Sequence, residues 1–166
     1  DGTIAIFVEP MLIARESQLA NVDDVFNGIL VRGDATGDVV FYGKGAGKLP
    51  TASAVVADII DCVKHMKARK YLYWEDSRPG YVAAYESVSG DFWVHLRASE
   101  AVTGSDIFEK AEKVFPGASR VTRPDEERGE AGICVKGLTF AQLQEGLSAL
   151  GHDGISVLNT VRIADF

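Results

Sequence analysis

Apolar residues recur at two spacings in the second half of the chain, and the spacing predicts each type of element. Alternation at every second residue, as in Phe92, Val94 and Leu96, is typical of a strand with one buried face. Recurrence at every third or fourth residue is typical of an amphipathic helix. The predicted elements are a strand at 91–98, a helix capped by Ser105 and extending to Phe115, strands at 119–123 and 131–136, a helix at 139–150 capped by Thr139, and a strand at 156–163. This β-α-β-β-α-β order predicts a ferredoxin-like domain, an antiparallel sheet covered on one face by two helices.

The first half of the chain predicts three strands and one helix. Residues 2–8 are mostly apolar on both faces, which predicts a strand covered on both sides and ended by Pro10. Strands at 25–31 and 39–42 are predicted to form a hairpin around the turn-rich segment between them. A helix is predicted at 52–67 with Thr51 as its N-cap, and its apolar stripe is Val56, Ile59, Ile60, Val63 and Met66.

Residues 69–89 separate these halves and are rich in aromatic side chains, namely Tyr71, Tyr73, Trp74, Tyr81 and Tyr85. We interpret the segment as an ordered connector whose aromatics pack on a neighbouring surface, with a domain boundary inside it. An aromatic ligand cage is the alternative. In another interpretation, 71–75 is the first strand and 81–88 a helix, which makes 91–98 an additional strand.

A glycine-rich turn joins the predicted strand at 39–42 to the predicted helix. Its glycines, Gly43, Gly45 and Gly47, permit unusual backbone angles and the close approach of another group. A helix that begins directly afterwards presents unpaired N–H groups and the positive end of its dipole. This combination can hold part of a nucleotide, although the G-x-G-x-x-G spacing is absent. The alternative is a tight connection that binds no ligand.

The composition is that of a soluble globular protein. The 166 residues, 46% hydrophobic and 25% charged, are enough for one ordinary domain or two small ones. A net charge of −7 disfavours nucleic acid as a partner, and no apolar run is long enough to span a membrane. Cys62 and Cys134 are predicted to be reduced and buried, which favours a cytoplasmic location. Because the chain begins with Asp1 inside a predicted strand, we expect it to be a piece of a longer polypeptide.

The residue types that carry catalysis or bind metals are dispersed. His65, His95 and His152 fall in three different predicted elements. Cys62 and His65, with no further ligands nearby in sequence, make a poor zinc site. The sequence therefore predicts neither a metal site nor a complete set of catalytic residues.

Four sequence blocks resemble the last part of the catalytic region of homoserine dehydrogenase. They lie at 8–13, 19–29, 33–37 and 41–60, occur in the same order in that family, and include the segment FYGKGAGKLPTASAVVAD. The resemblance implies an α+β organisation: 1–68 as the end of the mixed α/β substrate domain, 69–89 as the connector, and 90–166 as an ACT-like regulatory domain.

The resemblance also implies an activity. The family reduces aspartate semialdehyde to homoserine with NADPH or NADH, on the route to threonine, methionine and isoleucine. Gly47, the last glycine of the turn, would line the nicotinamide cofactor, with Gly45 and Ala46 beside it. The family's dinucleotide-binding domain and its catalytic lysine and acidic residues lie upstream of this segment. We therefore expect this chain alone to be inactive and to hold no cofactor tightly.

Partners are implied in the same way. The family's catalytic regions dimerise through their sheets, so a homodimer or a larger homo-oligomer is expected, with an amino acid such as threonine as a possible effector. Residues 98–105 depart from the Asp-x-Pro-Gly-Val-Leu turn that is usual in ACT domains. A free-standing ACT-like module that binds an amino acid or assembles subunits, without catalysis, is the alternative.

Overall fold

The computed structural model describes residues 2–68, 73–124 and 127–166. Two compact units are present, one formed by Asp1–Ile13 together with Ser77–Phe166 and the other by Ala14–Asp76. The elements are β1 (Met11–Leu12), β2 (Phe26–Gly33), β3 (Gly37–Lys44), α1 (Lys48–Lys64), β4 (Ser89–Arg97), α2 (Gly104–Val114), β5 (Ser119–Val121), β6 (Glu130–Thr139), α3 (Phe140–His152) and β7 (Ser156–Ile163). The larger unit therefore contains both ends of the chain.

A mixed sheet forms the larger unit, with strand order β1-β7-β4-β6-β5. The four strands from β4 to β7 pair antiparallel, whereas β1 lies parallel to β7 through Met11 and Leu12. From β4 onward the element order is the predicted β-α-β-β-α-β. The predicted combination of helices and strands in one mixed α/β structure is confirmed.

The core of this unit lies between the sheet and its two helices. Phe92, Val94 and Leu96 alternate along β4 and are buried, as the pattern predicts. They form one cluster with the buried residues of α2 and α3, which are Ile107, Ala111, Leu143, Leu147 and Leu150. Trp93, His95 and Arg97 alternate with these core residues along β4 and are less buried. Burial of one face of the sheet thus follows directly from the period of two in the sequence.

Both helices of the larger unit begin with a capping box. The Thr139 hydroxyl accepts a hydrogen bond from the Gln142 N–H at 3.2 Å, as predicted. The predicted cap of α2, Ser105, is wrong: Thr103 occupies the N-cap and accepts from the Asp106 N–H at 3.2 Å. The Asp106 carboxylate accepts the Thr103 N–H at 3.0 Å, so the two residues satisfy each other's donors. The hydrogen bonds from Thr103 also lower the pKa of Asp106.

Replacing Thr103 with alanine is expected to lower the free energy of unfolding by about 1 kcal/mol, because the Asp106 N–H loses its acceptor and the Asp106 carboxylate loses the hydroxyl that donates to it. Ser105→Ala is the control at the predicted cap: Ser105 lies within α2 and caps nothing, and its hydroxyl accepts an exposed hydrogen bond from Arg120 Nη1 at 2.8 Å. Urea unfolding of both variants tests this. A loss at Ser105 as large as that at Thr103 would contradict the assignment.

The smaller unit contains a β-hairpin and one helix. β2 and β3 pair antiparallel from Phe26↔Lys44 to Gly33↔Gly37, which confirms the predicted hairpin and extends both strands. The turn uses Gly37 at a φ of +68°, and an exposed ion pair joins Arg32 to Asp38 at 2.8 Å beside it. None of the described residues between 14 and 76 is buried.

The predicted strand at 2–8 is wrong. Only a single bridge, from Ile4 to Val82, lies in this stretch, and the first strand begins after Pro10. Ile6 is 64% exposed and the Val8 side chain is fully exposed. A strand that is apolar on both faces needs a layer on each side. The described residues pack on Phe7 but leave Ile6 and Val8 uncovered.

The start of α1 also differs from the prediction. Gly47, not Thr51, is the N-cap, so the helix begins at Lys48. Pro50 fits the first turn because the N–H that it lacks would be unpaired there in any residue. The predicted stripe of α1 is exposed along its length, and so is Cys62, whose predicted burial is therefore wrong.

Within the connector the aromatic residues divide into two groups. Tyr73 and Trp74 are exposed, and Tyr71 lies outside the described residues. Tyr85 packs against Phe7 and Phe140, with ring centroids 6.0 and 4.7 Å away. Only a short 3₁₀ turn, Tyr85–Ser87, forms where the alternative interpretation placed a helix.

Candidate functional site

The glycine-rich turn lies between β3 and α1 and is exposed. Gly47 caps the helix with a φ of 120° and a ψ of 153°, and, as a glycine, it supplies no side-chain hydrogen bond to the first turn. Its carbonyl accepts the Thr51 N–H at 3.2 Å, which is the first hydrogen bond of the helix. The helix therefore presents the positive end of its dipole beside Gly45 and Ala46 without a side-chain cap.

Gly47 is required by the backbone rather than by crowding. A Cβ at this position would meet only Pro50, at 3.5 Å, which is ordinary contact. The φ of +120° is one that residues with a side chain rarely adopt. Any substitution here must therefore change the path of the chain into α1.

The hairpin that carries the turn is braced at the same end. Phe26 and Tyr42 stack with centroids 4.9 Å apart and planes 6° from parallel. The ammonium of Lys44 lies 5.7 Å from the centre of the Phe26 ring. These contacts hold the final residues of β3, and hence the first residue of the turn, against β2.

Apolar side chains cover α1 without a described neighbour to bury them. Val55, Val56, Ile59, Ile60, Val63 and Met66 are between 48% and 71% exposed. Contiguous exposed apolar surface of this kind marks an interaction site in soluble proteins. The helix is thus suited to pack against further protein.

A second cluster lies around Glu130, on the face of the sheet that bears Trp93. Although Glu130 is only 3% exposed, its carboxylate accepts from Arg97 Nε at 3.0 Å and from Arg123 Nη2 at 3.1 Å. The His95 Nε2 atom is also 3.0 Å away, and the His95 ring lies 5.7 Å from Trp93. The hydrogen bonds from Arg97 and His95 lower the pKa of Glu130, and the same contact raises the pKa of Arg97.

Acid is expected to destabilise the larger unit through Glu130. The pKa of Glu130 is lower in the folded than in the unfolded protein. The ionised carboxylate therefore stabilises the folded state at pH values above its unfolded-state pKa, and this stabilisation is lost as the pH falls through its folded-state pKa. The melting temperature should therefore fall with pH in the acid range more steeply for the unmodified chain than for Glu130→Gln. Parallel pH profiles would contradict this. Because Asp38 and Asp106 also have lowered pKa values, the difference between the two profiles is the quantity to measure.

A third cluster surrounds Arg162 in β7. Its guanidinium carbon lies 4.9, 5.5 and 4.6 Å from the ring centres of Phe7, Tyr85 and Phe92. Its Nε donates to Glu9, and Nη1 donates to the Ser89 carbonyl at 3.2 Å.

Two neighbours complete this cluster. The Tyr85 hydroxyl donates to the second Glu9 oxygen at 2.6 Å, and burial raises the pKa of Tyr85. Gly90 leaves the space that the guanidinium needs, since a Cβ there would lie 2.1 Å from Nη1.

The sequence analysis did not anticipate the roles of Glu9, Glu130 or Arg162. The available signals were weak: an arginine within a mostly apolar last strand and a glutamate that directly precedes Pro10. Pairing of such residues depends on strands that are distant in sequence. Neither charge pattern nor spacing could have identified the partners.

The predicted dispersion of histidine and cysteine agrees with the structure. His65 contacts Asp61 on the surface of α1, His95 contacts Glu130, and His152 lies in the last turn of α3. Cys62 and Cys134 are both free thiols. Among the described residues, no group of three or more histidine, cysteine or acidic side chains could hold a metal ion. None of the helices in the described ranges has the length and apolar character that a membrane crossing requires.

Comparison with known proteins identifies the origin of the glycine-rich turn. Residues 2–60 match the family model described as Homoserine dehydrogenase. This segment is similar in sequence to homoserine dehydrogenases. The predicted resemblance is therefore confirmed, and the relatives are dehydrogenases, a class of oxidoreductase.

Three curated homoserine dehydrogenases illustrate the similarity. The protein from Synechocystis is 59% identical over 56 residues, 34% of this chain and 13% of the relative. The protein from Neisseria gonorrhoeae is 52% identical over 65 residues, 39% of this chain and 15% of the relative. The match to the protein from Helicobacter pylori extends to 97 residues at 36% identity, 58% of this chain and 23% of the relative. The chain thus spans less than a quarter of each of these relatives.

Solved homoserine dehydrogenases resemble the structure over nearly all of its length. The enzyme from Thiobacillus denitrificans aligns with a TM-score of 0.73 and 25% identity, over 99% of this chain and 40% of that one. The enzyme from S. aureus at pH 6.0 aligns with a TM-score of 0.65 and 26% identity, over 95% of this chain and 37% of that one. The similarity in structure therefore extends beyond residue 60, where the family match ends.

Proposed function

We propose that this chain is the C-terminal part of a homoserine dehydrogenase, which interconverts L-aspartate 4-semialdehyde and L-homoserine with NADP or NAD. The match of residues 2–60 to that family carries the proposal. In the proposed enzyme the chain supplies one wall of the cofactor site, a dimerisation surface and a regulatory domain. Alone it is inactive, because positioning of the nicotinamide and transfer of the proton need residues upstream.

The turn residues fit a nicotinamide cofactor. Gly45, Ala46 and Gly47 are exposed, and the two glycines let a flat ring or a phosphate approach the backbone. The N-terminus of α1 carries no side-chain cap, so its N–H groups and its dipole favour an anionic group there. Lys44 and Lys48 on either side of the turn add positive charge. When bound, the cofactor supplies or accepts the hydride, and this chain binds and orients it.

Gly47→Val in the full-length enzyme tests this role. We expect the KM for the nicotinamide cofactor to rise about tenfold or more, because a side chain cannot keep the φ of 120° that directs the turn into α1. The KM for homoserine and the melting temperature should change far less. Gly43→Ala is the matched control, since a Cβ there would meet nothing within 4 Å. An unchanged cofactor KM in Gly47→Val would show that the turn is only structural.

The domain assignment belongs to the same proposal. Residues 1–68 complete the catalytic region, 69–89 connect, and 90–166 form an ACT-like regulatory domain. The sheet order β7-β4-β6-β5, with two helices packed on one face, supports the ferredoxin-like architecture. The exposed apolar side chains of α1 support packing on the upstream catalytic region or on a second subunit in a cytoplasmic homodimer.

A second candidate is a free-standing ACT-like module that binds an amino acid or assembles subunits. The observation that favours it is that the larger unit has its own buried core. A thermal-shift screen with threonine, methionine, lysine and isoleucine tests amino-acid binding, because a ligand at 100 times its Kd stabilises the folded state by about 2.7 kcal/mol. If none of these amino acids raises the melting temperature, assembly is the function left to this module.

A further inference from the structure

Asn27 occupies the space in which a side chain at Gly45 would lie. A Cβ built at Gly45 would be 2.1 Å from the Asn27 Nδ2 atom, 2.8 Å from its Cγ and 3.5 Å from its Cβ. Asn27 pairs with Gly43 across the hairpin, so its side chain reaches the turn two residues further along. The contact therefore joins β2 directly to the glycine-rich turn.

The three glycines of the segment have different reasons to be glycine. Gly43 has open space around it, and Gly47 has a φ of +120° with room for a Cβ. Gly45 has no positive φ, so its φ does not require glycine. The contact with Asn27 is thus the feature of the described structure that excludes a side chain at Gly45.

We infer that Asn27 is a positioning residue for the cofactor-binding turn. Its amide packs against Gly45 and fixes the path of the chain from β3 into the N-terminus of α1. Asparagine is unfavourable in strands, so its place in β2 has a local cost that this contact offsets. The inference rests on the proposed function, because the turn is the wall that this chain contributes to the cofactor site.

Gly45 and Asn27 should then behave as one unit. Gly45→Ala must displace the Asn27 amide, and Asn27→Ala removes it, so both substitutions break the same contact. Residues in direct contact give non-additive effects, whereas independent ones add. If Gly45 instead contributed to cofactor binding independently of Asn27, Gly45→Ala would weaken cofactor binding by the same factor with Asn27 present or replaced.

The experiment is a double-mutant cycle in the full-length enzyme. We expect Gly45→Ala and Asn27→Ala each to raise the cofactor KM, and the Kd for NADPH measured by fluorescence, by about three- to tenfold. The KM for homoserine should stay within about twofold, since the contact lies at the cofactor wall. The double variant should match the single variants. If the increase in cofactor KM in the double variant equalled the product of the two single increases, the inference would be overturned.

A second measurement needs neither cofactor nor activity. In the ¹⁵N spectrum of this chain, Asn27→Ala should shift the amide signals of Gly45, Ala46 and Gly47. Asp38→Ala is the matched control, because it breaks an exposed ion pair at the other end of the same hairpin and should leave those signals unchanged. Unshifted signals in Asn27→Ala would overturn the inference. A full-length protein without dehydrogenase activity would overturn the proposed function alone, because this spectrum is independent of it.

Discussion

Replacing Arg162 with alanine is expected to lower the free energy of unfolding of the larger unit by about 3–5 kcal/mol. The Arg162 side chain is 3% exposed and that of its partner Glu9 is 20% exposed. Removal leaves the Glu9 carboxylate without its cation and the Ser89 carbonyl without its donor. It also empties the space between three aromatic rings. Loss of charge pairing and loss of packing therefore act together.

Urea unfolding of Arg162→Ala and Arg32→Ala measures the difference between a buried and an exposed ion pair. Arg32 and its partner Asp38 are 52% and 39% exposed, so the Arg32 variant should lose less than about 1 kcal/mol. A similar decrease in the free energy of unfolding in both variants would contradict the assignment of Arg162 to a buried, stabilising ion pair with Glu9. Tyr85→Phe is a further variant, since it removes only the hydroxyl that donates to Glu9.

The Arg162 cluster bears on how the dehydrogenase segment is held. Glu9 and β1 lie inside the 2–60 match, yet Glu9 pairs with an arginine of the last strand and β1 pairs with that same strand. The beginning of the matched segment is therefore stabilised by the C-terminal part of the chain. A substitution in β7 can therefore directly disturb Glu9 and β1, which lie within the dehydrogenase match.

The elements of the larger unit could be predicted from sequence because their signals are local. The alternation in β4 and the repeat along α3 each report the face that is buried within one element. The Thr139 cap was predicted because hydroxyl and amide lie three residues apart, and Thr103 has the same spacing to Asp106. Pairing of β1 with β7 leaves no such signal, because it joins the two ends of the chain.

The errors about burial in the first half have one physical origin. Residues 2–8 and the stripe of α1 are apolar, and the sequence interpretation assumed that the chain itself covers apolar surface. In the structure, Val8 and Ile59 are exposed. An apolar pattern indicates that a surface is buried in the working protein, but it does not indicate which polypeptide segment buries it. The assumption that a chain covers its own apolar surface fails for a segment that corresponds to only part of its relatives.

The candidate site was predictable in part. Glycine-rich composition before a helix indicated the turn, and the resemblance singled out Gly45, Ala46 and Gly47. The sequence could not show why each position is glycine. Gly47 is set by its φ angle, and Gly45 is set by a contact with Asn27 that depends on the register of the hairpin. Asn27 carries no sequence signal of its own, since its role depends on lying opposite Gly43.

Replacing Gly146 with valine is expected to destabilise the larger unit by about 1–3 kcal/mol, although valine has the higher helix propensity. A Cβ at Gly146 would lie 2.3 and 2.4 Å from two ring atoms of Phe115, which is buried where α2 ends. Because Phe115 is buried, either its ring must leave its place in the core or the two helices must move apart. Overpacking therefore outweighs the gain in propensity.

Gly151→Val is the matched control, because it makes the same substitution in the same helix where a Cβ meets nothing within 4 Å. It should be neutral or slightly stabilising, since glycine is the poorer helix former. Thermal unfolding of the two variants gives the sign of each change. Equal and small effects would mean that α2 and α3 do not approach as closely as the Phe115 contact requires. Opposite signs would show that Gly146 is glycine because of packing between the helices that cover the sheet.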